Sequence, residues 1–357
     1  MVNLRIGTAD GADAHLIAER FNRHTFWCGQ SGSGKTYALG VVLEQLLIHT
    51  RLPILVMDPN ADFVGIGQTV EGADEAEVAL LRGQQTRVLH SSGDDGQQLR
   101  VRYVDLDLPT KAAVLRLDPV ADPGEYNVLL QFEREVGAVQ DEHLLATLRS
   151  SPDPARQLLA LRIENLGVLE WDLWANGAET AEDVYATRPR ALVMDLGGFD
   201  HPDEPLAAAL SMLDHLWAHR YERRPVLIVI DEAHNLCPPD PSSPLERALT
   251  ARIVQIAAEG RKYGLWLLLS TQRPSKVHPN ALSQCDNLAL LRMSSPHDLA
   301  ELGSLFGYAP SDLVERSPLY GKGQGLFAGG FVDRPSLVQM GRRLTREGGR
   351  DVPVPMP

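Results

Sequence analysis

The chain has 357 residues, of which 44% are hydrophobic, and a formal net charge of −13. This length allows one large α/β domain or two smaller ones around a buried sheet. The negative charge excludes a protein that binds nucleic acid over its whole surface, but not a ring that confines its basic groups to a central channel.

Signals for targeting and for covalent cross-links are absent from the sequence. No apolar run approaches the ~20 residues of a membrane-spanning helix, and the N-terminus lacks the pattern of a signal peptide. Cys28, Cys237 and Cys285 lie far apart, which is typical of reduced thiols rather than of a metal site or a disulfide framework. We therefore expect a cytoplasmic protein with no membrane anchor.

The first functional motif is a glycine-rich turn between a predicted strand at 25–28 and a predicted helix at 37–49. It has the spacing G-x-x-x-x-G-K-T and consists of Gly29, Gln30, Ser31, Gly32, Ser33, Gly34, Lys35 and Thr36. Backbone amides of such a turn, together with the start of the helix, bind phosphate oxygens. We expect Lys35 to reach the β- and γ-phosphates and Thr36 to bind Mg²⁺.

A short apolar run at 53–57 leads into Asp58 and Asp62. The run predicts a buried parallel strand, and ligands of open α/β sheets bind at the carboxyl edge of such strands. We therefore predict that both carboxylates face the nucleotide or its water. The alternative is that one caps a helix and the other is solvated.

A second acidic motif follows the apolar run 226–230, which ends in Asp231 and Glu232. We expect Asp231 to hold the Mg²⁺ shell and Glu232 to polarise the water that attacks the γ-phosphate. The next predicted strand, 265–269, leads to Gln272. If the two strands are neighbours, Gln272 senses the γ-phosphate or orients the water; otherwise it makes ordinary loop hydrogen bonds.

The remaining pattern predicts how the α/β fold is organised, with a mostly parallel central sheet. The segments 1–107 and 188–341 form the two parts of the core, the latter ending in an antiparallel strand pair. A mostly helical insertion occupies 108–187, and a strand precedes it at 99–104. Residues 342–357 are rich in Arg, Gly and Pro, which predicts a flexible tail; contact of this tail with DNA or a neighbouring subunit is the alternative.

At these motifs the sequence resembles the HerA branch of the HerA–FtsK superfamily of hexameric DNA-pumping ATPases. The likeness covers about residues 14–340. Its most specific part is E-G-R-K-Y-G at 259–264, followed by a strand that ends in S-T-Q-R-P at 270–274. The other matching segments are 29–36, 58–63, 193–196, 230–234 and 282–287.

The resemblance implies a RecA-like core assembled as a homo-hexameric ring, with ATP and Mg²⁺ bound between subunits. It also implies that Arg261 of one subunit neutralises charge on the γ-phosphate held by the next. The alternative for Arg261 is an ion pair with a surface acid.

The sequence departs from the family in two places. The family usually has a small β-barrel ahead of its core, which we do not expect here because the glycine-rich turn, or P-loop, begins at residue 29. Standard pairing with a nuclease is less expected for the same reason. The acidic motif also departs from the family's D-P-H-G-E-Y, with Asn60 and Asp62 replacing His and Glu.

Three functions are compatible with these features. The first is a motor that couples ATP hydrolysis to translocation of double-stranded DNA, or that controls a partner nuclease or another effector in DNA end processing or antiviral defence. The second is a nucleotide-gated scaffold ring that assembles an effector without productive translocation. The third is an ATPase of the conjugation or secretion type. We do not expect a two-domain helicase, which the letters D-E-A-H suggest, because about 85 residues after Gln272 are too few for a second such domain.

Overall fold

The computed structural model describes residues 1–71, 75–93, 97–135 and 144–348. Strands in this part of the chain form one eleven-stranded sheet. They are β1 (Asn3–Ala9), β2 (Ala12–Ile17), β3 (His24–Cys28), β4 (Ile54–Asp58), β5 (Thr86–Leu89), β6 (Ala191–Asp195), β7 (Val226–Ile230), β8 (Leu265–Thr271), β9 (Cys285–Leu291), β10 (Gln324–Gly329) and β11 (Ser336–Met340).

Helices cover both faces of this sheet. Most begin with a proline in the first turn or with a capping side chain, as at Asp107, Thr180 and Ser243, which satisfies free backbone amides. The helices are α1 (Lys35–His49), α2 (Glu75–Arg82), α3 (Leu108–Val114), α4 (Pro123–Glu135), α5 (Leu144–Ser150), α6 (Pro154–Leu166), α7 (Ala181–Ala186), α8 (Glu204–Ala218), α9 (Pro244–Glu259), α10 (Pro279–Leu282), α11 (Pro296–Leu305) and α12 (Ser311–Glu315).

The strand order is β2-β1-β11-β10-β9-β3-β8-β7-β4-β6-β5. From β9 to β5 all neighbours are parallel, whereas β10, β11, β1 and β2 add an antiparallel extension. Strands β3, β4 and β7 are buried along their whole length, as expected for parallel strands covered on both faces. The predicted mostly parallel α/β fold is therefore confirmed, including the antiparallel pair near its C-terminus.

Two apolar layers hold helices against the sheet. On one face, α1 packs through residues such as Leu39, Val42 and Leu46. On the other face, α8 and α9 share a core with the helices of the predicted insertion, 108–187. In the described part of that segment, helices α3 to α7 pack into the main core rather than around a core of their own.

The prediction of a strand at 99–104 was wrong. Around it the chain makes only isolated bridges, His90 with Gln98 and Val101 with Trp174. A short 3₁₀ turn, Tyr103–Asp105, follows directly. The apolar side chains that suggested a strand, Leu99 and Val101, are instead buried as single anchors of an irregular segment.

The predicted flexible tail, 342–357, was wrong for its first part. Residues 341–348, hereafter the C-terminal strap, cross α1 and the loop after β4. Arg343, Leu344 and Thr345 are buried, because the carboxylate of Glu44 on α1 accepts hydrogen bonds from the Leu344 and Thr345 amides at 2.8 Å each. The rest of the predicted tail, 349–357, lies outside the described residues.

The three cysteines lie inside the fold. Cys28, Cys237 and Cys285 are free and buried, and burial raises the pKa of the Cys237 thiol to about 12. Within the described residues, no helix combines the length and the hydropathy needed to cross a bilayer.

Candidate active site

The glycine-rich turn lies at the carboxyl edge of the sheet, between β3 and α1. Gly32 and Gly34 have φ of +72° and +89°, which glycine adopts without steric cost. Main-chain bonds hold the turn from both sides: the Gly29 amide donates to the Thr271 carbonyl at 3.3 Å, and the Gln30 amide donates to the Arg292 carbonyl at 2.9 Å. The turn is therefore shaped by its neighbouring strands before any ligand arrives.

Lys35 is buried at the centre of a polar cluster. Its ammonium donates to Asp231 Oδ1 and to Ser270 Oγ, both at 2.9 Å, and lies 3.3 Å from Glu232 Oε1. Burial alone would lower the pKa of Lys35, but the two carboxylates outweigh it and hold that pKa above its ordinary value. The structure thus brings together three of the predicted site residues, from α1 and from the end of β7.

Asp231 and Thr36 have the chemistry expected of ligands to a Mg²⁺ shell. Asp231 is fully buried, and its Oδ2 has no hydrogen-bond partner among the described residues. The Thr36 hydroxyl is 3.5 Å from Asp62 Oδ2. Hydroxyl and carboxylate oxygens suit this hard cation, and an unpaired buried carboxylate oxygen is costly unless a water or a cation meets it.

Glu232 adopts φ +43° and ψ +49°, in the left-handed region. This conformation is costly for a side chain other than glycine. It places Oε1 beside Lys35, while Oε2 lies 3.2 Å from His234 Nδ1. Burial raises the pKa of Glu232, but the neighbouring His234 imidazole and the charge of Lys35 outweigh it and lower that pKa below its ordinary value.

Asp58 and Asp62 occupy different environments. Asp58 is fully buried and accepts hydrogen bonds from the Asp62 amide at 2.9 Å and the Phe63 amide at 2.7 Å. It does not line the cavity beside the P-loop; its carboxylate holds the amides of the loop after β4, where no helix begins. Asp62 does line that cavity, and burial followed by the charge of Asp231 raises its pKa to about 6.

Arg261 lies at the opposite edge of the sheet from the P-loop, where the parallel strands begin. It precedes β8 in the turn Gly260–Tyr263, whereas Gln272 follows β8, and a strand of seven residues spans about 20 Å. The Arg261 guanidinium forms an ion pair with Asp286 at 2.5 Å, which was the alternative considered for it. The structure therefore does not bring Arg261 to the P-loop of its own chain.

The residues of the P-loop edge surround a cavity of about 720 Å³, within the range of small-molecule sites. Gln272 lines it, because β8 is the parallel neighbour of β7. Three polar residues at or beside the cavity were not predicted as site residues: Ser270, His234 and Lys322. For Ser270 the available signal was a polar residue directly after an apolar run. The cavity is lined by Gln30, Ser31, Gly32, Gly34, Lys35, Thr36, Tyr37, Asn60, Asp62, Glu232, Gln272, Lys322, Gly323, Gln339, Met340, Gly341 and Glu347.

Comparison with known proteins gives a family model and relatives that match parts of the chain. Residues 4–159 match the family described as "Helicase HerA, central domain". A probable DNA double-strand break repair helicase HerA of Methanocaldococcus jannaschii is 29% identical over 153 residues, which are 43% of this chain and 30% of the relative. The DNA double-strand break repair helicase HerA of Sulfurisphaera tokodaii is 34% identical over 127 residues, 36% of this chain and 25% of the relative. The matched segments thus span less than a third of these relatives.

A solved structure matches the fold over almost the whole chain. VirB4 of Thermoanaerobacter pseudethanolicus superimposes with a TM-score of 0.61, covering 95% of this chain and 96% of that one at 16% identity. At this identity the match concerns the fold alone.

Proposed function

We propose that this chain, a HerA-like P-loop ATPase of the HerA–FtsK superfamily, hydrolyses ATP in a homo-hexameric ring and uses the energy to move double-stranded DNA. Hydrolysis takes place at the interfaces between neighbouring subunits, hereafter the seams of the ring. The proposal rests on one observation: the predicted catalytic groups lie at the two opposite ends of the parallel strands. The glycine cradle and the acid pair stand at the carboxyl edge, and Arg261 stands about 20 Å away at the amino edge.

The carboxyl edge supplies the groups that bind the phosphate chain and activate water. The turn amides and the start of α1 bind phosphate oxygens, and Lys35 exchanges part of its contact with Asp231 for the β- and γ-phosphates. Mg²⁺ held near Thr36 and Asp231 would neutralise charge on those phosphates.

Hydrolysis requires a water aligned with the γ-phosphorus. Glu232 accepts a proton from this water as its oxygen bonds to phosphorus, and the bond to the β–γ bridging oxygen breaks to release ADP. The lowered pKa of Glu232 keeps the carboxylate ionised and able to accept that proton. In this proposal Gln272, at the end of the neighbouring strand, orients the water.

Arg261 acts from the next subunit in this proposal. It exchanges Asp286 for the γ-phosphate oxygens when two subunits close on a nucleotide, and so stabilises the charge that spreads in the transition state. The site is then complete only when two neighbouring subunits close on a nucleotide. Because closure and hydrolysis are linked in this way, hydrolysis would drive movement of the subunits along DNA.

The experiment measures phosphate release by the purified chain with and without linear double-stranded DNA, together with native mass in the presence of an ATP analogue. We expect a sixfold assembly and hydrolysis that rises with DNA. A sixfold assembly with slow hydrolysis that ignores DNA would favour a nucleotide-gated scaffold for an effector, and a pulldown from the source cells would then identify that effector. A monomer without hydrolysis would contradict both functions.

A further inference from the structure

The turn Gly321–Gly323 stands against the P-loop on the side away from Glu232 and Gln272. It immediately precedes β10, which pairs antiparallel with β9, so the turn reaches the same sheet edge as the end of β3. The Gly323 amide donates to the Ser33 carbonyl of the P-loop at 2.8 Å. The P-loop therefore has a third main-chain support, which comes from a segment about 290 residues later in the chain.

The turn is held in place by its own contacts. The Gly323 carbonyl accepts from the Met340 amide at 2.9 Å and from Gln339 Nε2 at 3.2 Å. Gly323 has φ +71°, and a Cβ at Gly34 would lie 3.0 Å from its nitrogen. The two glycines permit this close approach of two backbones, and Lys322 is thereby placed on the wall of the nucleotide cavity.

Carboxylates outnumber ammonium groups around the cavity. Three carboxylates line it, those of Asp62, Glu232 and Glu347, against the ammonium groups of Lys35 and Lys322. Lys35 is already engaged with Asp231 and Glu232. Among the residues that the structure describes, no carboxylate lies within ion-pair distance of the exposed Lys322 ammonium, which is thus available to a phosphate.

From this placement we infer that Lys322 is a nucleotide-binding residue that contacts the phosphate chain near its nucleoside end. This inference rests on the proposed function and extends it to a second phosphate-binding element. Glu232 and Gln272 stand on the β7–β8 side of the P-loop, where the γ-phosphate is cleaved, so a cation on the β9–β10 side meets the other end of the chain. Lys322 then binds ATP and ADP alike and takes no part in cleavage.

The test is a binding titration of Lys322→Ala with a fluorescent ADP analogue and Mg²⁺, followed by competition with unlabelled ADP and ATP. A hydrogen bond to a charged group contributes enough that its loss weakens binding about tenfold at an exposed position. We expect this loss for both nucleotides, a matching rise in KM, an unchanged kcat, and recovery in Lys322→Arg. Lys276→Ala, which removes an exposed lysine away from the cavity, is the matched control and is expected to bind as the wild type does.

Three outcomes would overturn the inference. They are wild-type affinity in Lys322→Ala, a loss confined to ATP, and a fall in kcat without a change in binding. In each of these the proposed ATPase function stands, because the wild type still binds and hydrolyses nucleotide. Failure of the wild type itself to bind either nucleotide would overturn the proposed function and this inference together.

Discussion

Glu232 combines a left-handed backbone with a buried, ionised carboxylate, and we expect Glu232→Gln to show what that arrangement does. Loss of a general base lowers the rate of phosphate release by about 10²- to 10⁴-fold. Gln keeps the shape and the contacts of the side chain, so ATP binding should change little. Steady-state hydrolysis and a nucleotide titration measure the two effects separately.

The matched control for Glu232 is Glu315→Gln, which removes an exposed carboxylate on α12. It should hydrolyse ATP at the wild-type rate. Hydrolysis by Glu232→Gln within a few-fold of wild type would show that another group activates the water.

Asp58 makes the stability of the protein depend on pH. Burial, which outweighs two hydrogen bonds from backbone amides, raises its pKa to about 7, whereas an Asp in the unfolded chain has a pKa of about 4. Between these values the folded state keeps a proton that the unfolded state has released, so the free energy of unfolding falls as pH rises. From pH 5 to pH 7 this one group accounts for a fall of about 2–3 kcal/mol.

Urea unfolding of the nucleotide-free protein at pH 5 and pH 7 tests this prediction. The difference in stability between the two pH values should shrink in Asp58→Asn, whose side chain does not titrate. Asp333→Asn, at an exposed position, should keep the wild-type difference. An equal pH dependence in wild type and Asp58→Asn would mean that Asp58 is ionised throughout.

At the scale of elements, the C-terminal strap depends on one buried ion pair. Arg343 Nε lies 3.8 Å from Glu44 Oε1, and both side chains are 1% exposed. Glu44→Ala removes the buried charge that faces the Arg343 guanidinium and leaves the Leu344 and Thr345 amides without their acceptor. Because breaking a buried pair from one side costs about 3–5 kcal/mol, we expect a loss of that size in the free energy of unfolding, and faster tryptic cleavage at the arginines of the strap.

A surface ion pair provides the comparison for the strap. Arg5 and Asp13 are 2.9 Å apart, with side chains 65% and 52% exposed, so Asp13→Asn should cost at most about 1 kcal/mol. If Glu44→Ala destabilises the protein no more than Asp13→Asn does, the strap is not part of the cooperative fold.

The strap also illustrates what could be predicted from the sequence. Strands β3, β4, β7 and β8 were predictable because each is a short, largely apolar run, and three of them lead into the polar residues Asp58, Asp231 and Gln272. The strap was not, because Arg, Gly and Pro are typical of solvated tails and its partner Glu44 lies about 300 positions earlier. A lone Glu within an apolar helix was a signal that some cation or amide meets it, but nothing local indicates which.

The candidate site also has parts that could be predicted from the sequence and parts that could not. The P-loop cradle follows from spacing within eight residues, so its members were predictable. The hydrogen bond from Gly323 to Ser33 joins segments that are distant in the sequence, so it could not be predicted. Asp58 was predicted at the correct edge of the sheet, but its carboxylate faces the amides of its own loop. Position along a strand could be read from the sequence, whereas the direction of a side chain depends on contacts made after folding.

At the scale of the whole molecule, two edges of one sheet carry the two parts of the proposed site. Arg261→Ala and Glu232→Gln should each lose at least about 10²-fold in hydrolysis when assembled alone. A seam in a mixed ring is complete when the Arg261→Ala subunit provides the cradle and Glu232, and the Glu232→Gln subunit provides the arginine. Random assembly of equal amounts yields about a quarter of such seams, so mixing two inactive proteins should restore hydrolysis to about that fraction of wild type.

Lys35→Ala gives this mixing experiment its matched control. Lys35 and Glu232 belong to the same edge, so a ring that mixes Lys35→Ala with Glu232→Gln has no seam with an intact cradle and an intact acid, and it should stay inactive. Phosphate release measured after dissociation and reassembly of each pair distinguishes the cases. Restoration in both mixtures would indicate simple stabilisation by mixing, and restoration in neither would mean that Arg261 does not act across a seam.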